Sequence, residues 1–188
     1  MKKGLLIVFS GPSGVGKGTV RQCFMDDPRL NLAYSISMTT RKPREGEVEG
    51  KDYFFVTREE FEAAVERGEL LEHAEFVGNY YGTPLPYVEK LRNEGKNVIL
   101  EIEVEGMKQV VEKCSDAVTI FIIPPSMEEL ERRIRGRKSE AEDVIQKRLE
   151  KAGRELKLQD NYKYVVCNDI PEVAANKIVE IILDEMSK

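Results

Sequence analysis

A glycine-rich segment near the N-terminus combines a phosphate-binding backbone with a lysine. Residues 11–17 read Gly-Pro-Ser-Gly-Val-Gly-Lys, follow a short apolar run and precede a helical pattern. Glycines at these spacings let backbone N–H groups turn toward a phosphate, and the positive end of the helix dipole adds to the attraction. Lys17 supplies a compact positive charge. The segment therefore predicts a Walker A loop that binds the phosphates of ATP.

One position departs from the usual Walker A pattern. The residue after Lys17, where Ser or Thr would bind Mg²⁺, is Gly18, and the first hydroxyl comes at Thr19. Mg²⁺ retains much of its water shell in proteins. We therefore expect Mg²⁺ to arrive as Mg-ATP, held mainly by phosphates and water, with Thr19 as a candidate ligand directly or through water. The predicted ATP-binding residues in this segment are Gly11, Pro12, Ser13, Gly14, Val15, Gly16, Lys17, Gly18 and Thr19.

Arginines are gathered at two places in the chain. Arg41 and Arg44 form the first group, and the second contains Arg132, Arg133, Arg135 and Arg137. Planar guanidinium groups suit phosphate because they donate paired hydrogen bonds. The net charge of −5 argues against a general nucleic-acid-binding protein, so a phosphate-handling protein of this composition must gather its cations locally.

Several other classes of protein are disfavoured. A GTPase would add an Asp-x-x-Gly switch and an Asn-Lys-x-Asp motif, and the sequence contains neither. No apolar run reaches the roughly 18 residues of a membrane span, and the run after Lys3 is too short for a signal peptide. We therefore expect a cytoplasmic protein that binds neither membranes nor nucleic acids. Three scattered cysteines and a single histidine, His73, argue against a disulfide framework or a zinc site.

Alternating strands and helices must position these residues. Short apolar runs at 5–9, 97–102, 117–123 and 164–167 predict strands that are buried on both faces. Helical patterns cover 17–25, 84–93, 105–113, 127–135, 140–158 and 171–186. Thr57 and Ser126 each precede a glutamate by three residues, which is the capping-box pattern of a helix start. The alternation predicts an α/β fold with a parallel central sheet.

Two segments interrupt the alternation. Residues 35–82 contain strand-like pieces at 53–56 and 70–77, one short helix and a charged loop at 42–51, which predicts an insertion beside the core. The polar residues 136–143 lie between two helices, as a mobile lid would. We expect a single domain with a core at 1–34, 83–125 and 151–188, an insertion at 35–82 and a lid at 126–150.

Several ordered motifs resemble those of guanylate kinase. They are the Walker A loop, Ser-Met-Thr-Thr-Arg-Lys-Pro-Arg-Glu-Gly-Glu at 37–47, Gly-Lys-Asp-Tyr-Phe-Phe at 50–55, Gly-Asn-Tyr-Tyr-Gly-Thr at 78–83 and Arg-Ile-Arg-Gly-Arg at 133–137. The resemblance covers nearly the whole chain. It implies a P-loop three-layer fold with a GMP-binding insertion and a helical lid. It also implies an enzyme of purine nucleotide metabolism that moves the γ-phosphoryl group of ATP onto GMP, giving ADP and GDP.

The resemblance also implies a set of GMP-binding residues. Matching positions in the family hold the phosphate through two arginines and two tyrosines, and the base through an acid, two hydroxyls and a second acid. A carboxylate suits guanine, because guanine presents two donors on one edge where adenine has an acceptor. The matched residues are Ser37, Arg41, Arg44, Tyr53, Glu72, Tyr81, Thr83 and Glu103.

A further set is implied for the donor and for phosphoryl transfer. Transfer needs positioning and charge compensation more than covalent chemistry. The matched catalytic residues are Lys17, Arg41, Arg133, Arg137 and Arg148, and Arg137 and Asn168 also match positions that contact ATP. Glu101 and Glu103 end a predicted strand where a Walker B acid would stand, and the family commonly has aspartates there.

Two alternatives to this enzyme stay open. An interaction module could retain the acceptor pocket after losing catalysis, but such modules typically lack a working phosphate loop, whereas Lys17 and the lid arginines are present. An enzyme with another acceptor would keep the donor site, and Glu72 with Ser37 and Thr83 argues against it. The sequence leaves a monomer and a homo-oligomer equally open.

Overall fold

The computed structural model describes residues 2–136 and 140–188, and its elements alternate along most of the chain. The strands are β1 (Leu6–Ser10), β2 (Leu32–Tyr34), β3 (Met38–Thr39), β4 (Phe54–Phe55), β5 (Leu70–Phe76), β6 (Asn79–Pro84), β7 (Asn97–Glu101), β8 (Val118–Ile123) and β9 (Tyr164–Cys167). The helices are α1 (Lys17–Phe24), α2 (Arg58–Glu66), α3 (Leu85–Asn93), α4 (Val104–Lys113), α5 (Met127–Arg135), α6 (Glu142–Leu156) and α7 (Pro171–Ser187). A single 3-10 turn covers Gln159–Asn161.

Five parallel strands form the central sheet, in the order β2-β7-β1-β8-β9. All five residues of β1 are buried, as expected for a strand covered on both faces. Ile7 and Phe9 pack with α1, α5, α6 and α7, whereas Leu6 and Val8 pack with α3 and α4. Because alternate side chains of a strand point to opposite faces, β1 contributes to both cores. The result is the predicted three-layer α/β fold.

A second sheet stands beside the first, in the order β4-β3-β6-β5. Strand β6 is antiparallel to both of its neighbours, and a register shift interrupts the β5–β6 pairing between Leu70 and His73. Helix α2 covers this sheet through Phe61 and Ala64, which form a small core with Leu70. The predicted capping box at Thr57 is confirmed, since both of its reciprocal hydrogen bonds are present.

The predicted elements agree with the observed ones to within two residues at each end, and the differences have local causes. Strands β2 and β3 are short edge or near-edge pieces that the sequence does not distinguish from loops. Strand β6 overlaps a glycine-bearing motif. The predicted strand at 53–56 shortens to Phe54–Phe55. At Ser126 only half of the capping box forms, because Glu129 binds Arg132 and Arg133 instead of the helix start.

None of the helices in the described ranges has the length and apolar content needed to cross a membrane.

Candidate active site

The glycine-rich loop connects the end of β1 to the start of α1. Gly14 and Gly16 have φ angles of 86° and 93°, in the left-handed region that side chains disfavour. A Cβ at Gly14 would lie 2.6 Å from Ile134 Cγ1, and one at Gly16 would lie 2.8 Å from Asn168 Nδ2. Within the described residues, no side chain caps α1. Its first N–H groups are therefore open to an anion.

Lys17 folds back across this loop. Its Nζ donates to the Gly11 carbonyl oxygen at 2.5 Å. Burial lowers the pKa of Lys17, while the charges of Glu101, Glu155 and Glu103 oppose that shift. The ammonium group thus contacts one backbone acceptor at the site where phosphate oxygens would arrive. Binding a phosphate would replace this carbonyl contact with an anionic one.

Asn168 and Arg133 support the loop from behind. Asn168 is 2% exposed, and its Nδ2 donates to the Val15 carbonyl oxygen at 2.8 Å. Arg133 Nη1 donates to the carbonyl oxygens of Val15 and Asn168, at 3.2 and 2.9 Å, while its Nε donates to Glu129 at 2.8 Å. These bonds tie α5 and the end of β9 to the loop.

Arg148 reaches the front of the loop from α6. Its Nη2 donates to Ser13 Oγ at 2.8 Å, and its Nη1 forms an ion pair with Glu140 at 2.6 Å. Ser13 and Glu140 therefore hold a guanidinium group beside the predicted phosphate site before any ligand is bound. The third lid arginine of the prediction, Arg137, lies outside the described residues.

A cleft of about 470 Å³ opens between the two sheets, next to the carboxyl end of β7. Its walls come from β5 and β6, from the segment before β3 and from the start of α4. Five of the predicted GMP-binding residues line it, namely Ser37, Tyr53, Glu72, Tyr81 and Glu103. The topology thus brings together residues that are separated by up to 66 positions in the sequence.

Glu72 is the buried acid of this cleft. It is 8% exposed, and Thr83 Oγ1 donates to its Oε1 at 2.6 Å. Its Oε2 lies where a Cβ at Gly106 would come within 3.1 Å, so the glycine leaves space beside the carboxylate. Burial raises the pKa of Glu72, while the Thr83 hydrogen bond and the charge of Lys113 oppose the rise. A ligand that offers hydrogen-bond donors would stabilise this carboxylate.

Arg41 is not part of the cleft lining, but it lies next to Tyr53, which lines the cleft together with Tyr81. Its guanidinium carbon lies 5.3 Å from the centre of the Tyr53 ring, within cation–π distance. The Tyr53 and Tyr81 rings meet edge to face at 6.1 Å. Arg44 is exposed, and its backbone N–H donates to Glu47.

Known proteins provide an independent comparison. The family model described as guanylate kinase matches residues 3–185. The guanylate kinase of Lactococcus lactis subsp. lactis is 56% identical over 96% of this chain and 88% of its own length. That of Bacillus cereus is 56% identical over 98% of this chain and 90% of its own. A crystal structure of guanylate kinase from Anaplasma phagocytophilum covers all of this chain and 89% of that one, with 37% identity and a TM-score of 0.73.

The chain belongs to the guanylate kinase family. Membership confirms the predicted fold class and the resemblance on which the site prediction rested.

In this member of the guanylate kinase family, two acids follow one another closely at the end of β7. Each of them forms an ion pair with a cation of the protein. Glu101 lies 3.1 Å from Arg21 on α1, whose guanidinium stacks on the Tyr34 ring. Glu103 forms an ion pair with Lys151 on α6 at 3.0 Å. Each acid therefore meets a cation before any ligand binds, and Lys151 links the acceptor side of the site to the helix that carries Arg148.

A metal ion would find few protein ligands in this guanylate kinase fold. Among the described residues, no three His, Cys, Asp or Glu side chains cluster as a metal site. Thr19 is exposed, and Gly18 has open space where a side chain would stand. This environment fits a Mg²⁺ ion that is carried by phosphates and water, with Thr19 as the nearest hydroxyl in sequence.

Sequence reasoning did not single out four residues that shape this site. These residues contact the predicted site residues, but none of them belongs to a sequence motif with a known chemical role. They are Arg21, Glu47, Gly106 and Lys151. Only Glu47 carried a signal, since it stands inside the motif at 37–47, six positions after Arg41.

Proposed function

We propose that the chain is a guanylate kinase, which transfers the γ-phosphoryl group of ATP to GMP and releases ADP and GDP. The observation that carries the proposal is the pairing of a Walker A loop with a cleft whose buried acid is Glu72. The first suits a triphosphate donor, and the second suits a base edge that presents donors. The named guanylate kinases at about 56% identity support the same activity.

Donor binding in this proposal relies on the loop at 11–17. Its backbone N–H groups and Lys17 surround the phosphates, and Asn168 fixes the loop from behind beside the adenine. Mg²⁺ supplies charge neutralisation on the phosphates when it is bound with ATP. Thr19 would hold it directly or through water. These assignments follow from the chemistry of the donor groups and from the family motif.

Acceptor binding relies on the cleft and on the two arginines next to it. Glu72 accepts hydrogen bonds from the guanine edge, with Ser37, Thr83 and Glu103 beside the base. Arg41, Arg44, Tyr53 and Tyr81 hold the GMP phosphate. Adenine would place an acceptor against the Glu72 carboxylate. AMP would therefore displace water from Oε2 without supplying a hydrogen-bond donor in return.

Transfer then requires alignment and charge compensation. An oxygen of the GMP phosphate attacks the γ-phosphorus while the bond to the β-phosphate oxygen breaks, and ADP leaves. The attacking phosphate is already an anion near neutral pH, so no general base is needed. Lys17, Arg133, Arg137 and Arg148 compensate the charge that shifts toward ADP, with Arg41 aligning the acceptor.

We further propose that 35–82 acts as a GMP-binding insertion and 126–150 as a lid on the core formed by 1–34, 83–125 and 151–188. Water competes with GMP for the γ-phosphoryl group, so a site completed only by both substrates limits hydrolysis. Because both substrates are metabolites of the cytoplasm, we propose that location for the enzyme.

The deciding experiment is a coupled assay of ADP formation with each nucleoside monophosphate in turn. We expect turnover with GMP, and poor turnover with AMP, CMP and UMP. Equal turnover with AMP would remove the guanine assignment and leave a kinase of another acceptor. No turnover with any monophosphate, together with tight GMP binding, would favour an interaction module.

A further inference from the structure

The guanidinium of Arg41 is held on one side by the protein itself. Its Nη1 and Nη2 donate to the two carboxylate oxygens of Glu47, at 3.0 and 2.7 Å, and Nη1 also donates to the Lys42 carbonyl oxygen at 2.9 Å. The side chains of Arg41 and Glu47 are only 14% and 20% exposed. The pair lowers the pKa of Glu47 to about 2, so the carboxylate stays ionised throughout the neutral range.

Glu47 organises more of this loop than one arginine. Its Oε2 also accepts the backbone N–H of Arg44 at 2.7 Å. One carboxylate thus joins the side chain of Arg41 to the backbone of Arg44, the two residues assigned to the acceptor phosphate. By contrast, Glu49 in the same loop accepts only a backbone bond, from the N–H of Phe55 at 2.9 Å, in the part of the chain that the structure describes.

The geometry of the pair determines which edge of Arg41 faces a ligand. A guanidinium has five N–H groups. The two bonds to Glu47 use its outer edge, formed by Nη1 and Nη2, and the bond to Lys42 uses the second N–H of Nη1. Glu47 and Lys42 leave the Nε–H and the second Nη2–H unused, and these point in parallel from the adjacent edge. That edge is a second fork of the kind that binds phosphate through two parallel hydrogen bonds. Hydrogen bonding of the Arg41 side chain, first with Glu47 and then with Tyr81, raises its pKa, so Tyr81 also lies within reach of this guanidinium.

We propose that Glu47 is a positioning residue for the acceptor phosphate, acting by fixing Arg41 so that its Nε/Nη2 edge faces the phosphate before GMP arrives. The inference rests on the proposed function and adds a residue to its mechanism. A free arginine loses substantial rotamer freedom when it binds. Holding it in place beforehand removes that cost from GMP binding. Glu47 also carries negative charge near the phosphate. The proposal therefore requires that the entropy saved by ordering Arg41 in advance outweighs this repulsion.

The test compares Glu47→Gln with the matched control Glu49→Gln. Glutamine keeps one acceptor but places an NH₂ group against an Arg41 N–H, so the fork breaks. We expect the KM for GMP to rise about tenfold in Glu47→Gln, with the KM for ATP unchanged and kcat at saturating GMP within about twofold of the wild type. Glu49→Gln keeps its bond to Phe55 and should match the wild type.

A double-mutant cycle separates positioning from a general effect on loop folding. If Glu47 acts through Arg41, Glu47→Gln should add little to the rise in KM caused by Arg41→Ala. Guanosine, which lacks the phosphate, should bind the wild type and Glu47→Gln equally in calorimetry. An unchanged or lowered KM for GMP, or additive effects in the cycle, would overturn the proposal while wild-type turnover of GMP still stood. Absence of GMP turnover in the wild type would instead overturn the proposed function.

Discussion

Thr83 donates a hydrogen bond to Glu72 Oε1 at 2.6 Å, inside a cleft where Glu72 is 8% exposed. The bond occupies one carboxylate oxygen and leaves Oε2 beside Gly106, where the backbone has no side chain. A partly desolvated carboxylate is costly unless hydrogen-bond donors reach it, and a ligand in the cleft that Glu72 lines could supply donors to Oε2 in place of water. We propose that this relationship underlies the selectivity for guanine.

Glu72→Gln should therefore impair GMP use selectively. The amide can keep the Thr83 bond, but its NH₂ group would oppose the guanine donors. We expect kcat/KM for GMP to fall on the order of 10²-fold, with the KM for ATP unchanged. Steady-state kinetics with each substrate varied in turn would measure this. An equal loss for both substrates would indicate a disturbed fold instead of a lost base contact.

The raised pKa of Glu72 predicts a pH dependence for GMP binding. Because burial is the main cause and raises the pKa above the usual 4.5, the carboxyl takes up a proton at a higher pH than an exposed glutamate does. The protonated form loses an acceptor for guanine, so affinity for GMP should fall as pH falls through that raised value. Affinity measured by calorimetry across the acidic range tests this.

A matched variant is needed in that titration, since the GMP phosphate itself gains a proton near pH of roughly 6. Glu72→Gln keeps the phosphate titration and lacks the carboxyl. The acidic loss of affinity in the wild type should therefore exceed that in Glu72→Gln. Identical pH profiles would show that Glu72 does not contact the base as an anion.

Lys17→Ala should lose most activity while remaining folded. The ammonium compensates charge that develops during transfer, so we expect kcat to fall on the order of 10²- to 10³-fold. Stability should change little, because burial already lowers the pKa of Lys17 and so disfavours its charged form. Single-turnover kinetics and thermal unfolding together check both statements. An unchanged kcat in the folded variant would contradict the role of the loop.

Gly18 offers a direct test of metal binding. Its position has open space within 4 Å of an added Cβ, and a serine there would restore the hydroxyl of the usual Walker A pattern. We expect Gly18→Ser to lower the Mg²⁺ concentration for half-maximal activity, with Thr19→Val raising it if Thr19 is the present ligand. Activity titrated with Mg²⁺ at fixed ATP measures both. No change in either variant would leave the metal to phosphates and water alone.

Whether a structural feature of this protein could be predicted from the sequence depends on whether the residues that form it are close together in the chain. The Walker A loop and the capping box at Thr57 could be predicted because their geometry lies within a few residues. Strand β2 could not, since three half-exposed residues at a sheet edge have no distinctive period. The Glu72–Thr83 bond depends on the irregular β5–β6 register, which tertiary packing sets. The bond from Asn168 to Val15 joins residues 153 positions apart.

The last prediction concerns motion between the insertion and the lid. In the structure, Arg41 is tied to Glu47, Arg133 to the backbone behind the loop, and Arg148 to Ser13 and Glu140. Each arginine thus binds a group of the protein, whereas in the proposed mechanism it binds a phosphate of a substrate. We expect both segments to close, and Arg148 to exchange Glu140 for phosphate oxygens, only when a non-hydrolysable ATP analogue and GMP are bound together.

Hydrogen exchange of the free, singly liganded and doubly liganded enzyme measures this closure. Amides of residues 38–55 and of α6 should exchange most slowly in the doubly liganded enzyme. GMP alone should protect 38–55 in part and leave α6 unchanged, because no γ-phosphate is present to attract the lid arginines. Paired distance labels at the exposed Val48 and Val144, in a variant without native cysteines, give the separation directly. If the exchange rates and the label separation both stay, with both ligands bound, at the values of the ligand-free enzyme, the site is preformed. The arginines must then reach the phosphates by side-chain rotation alone.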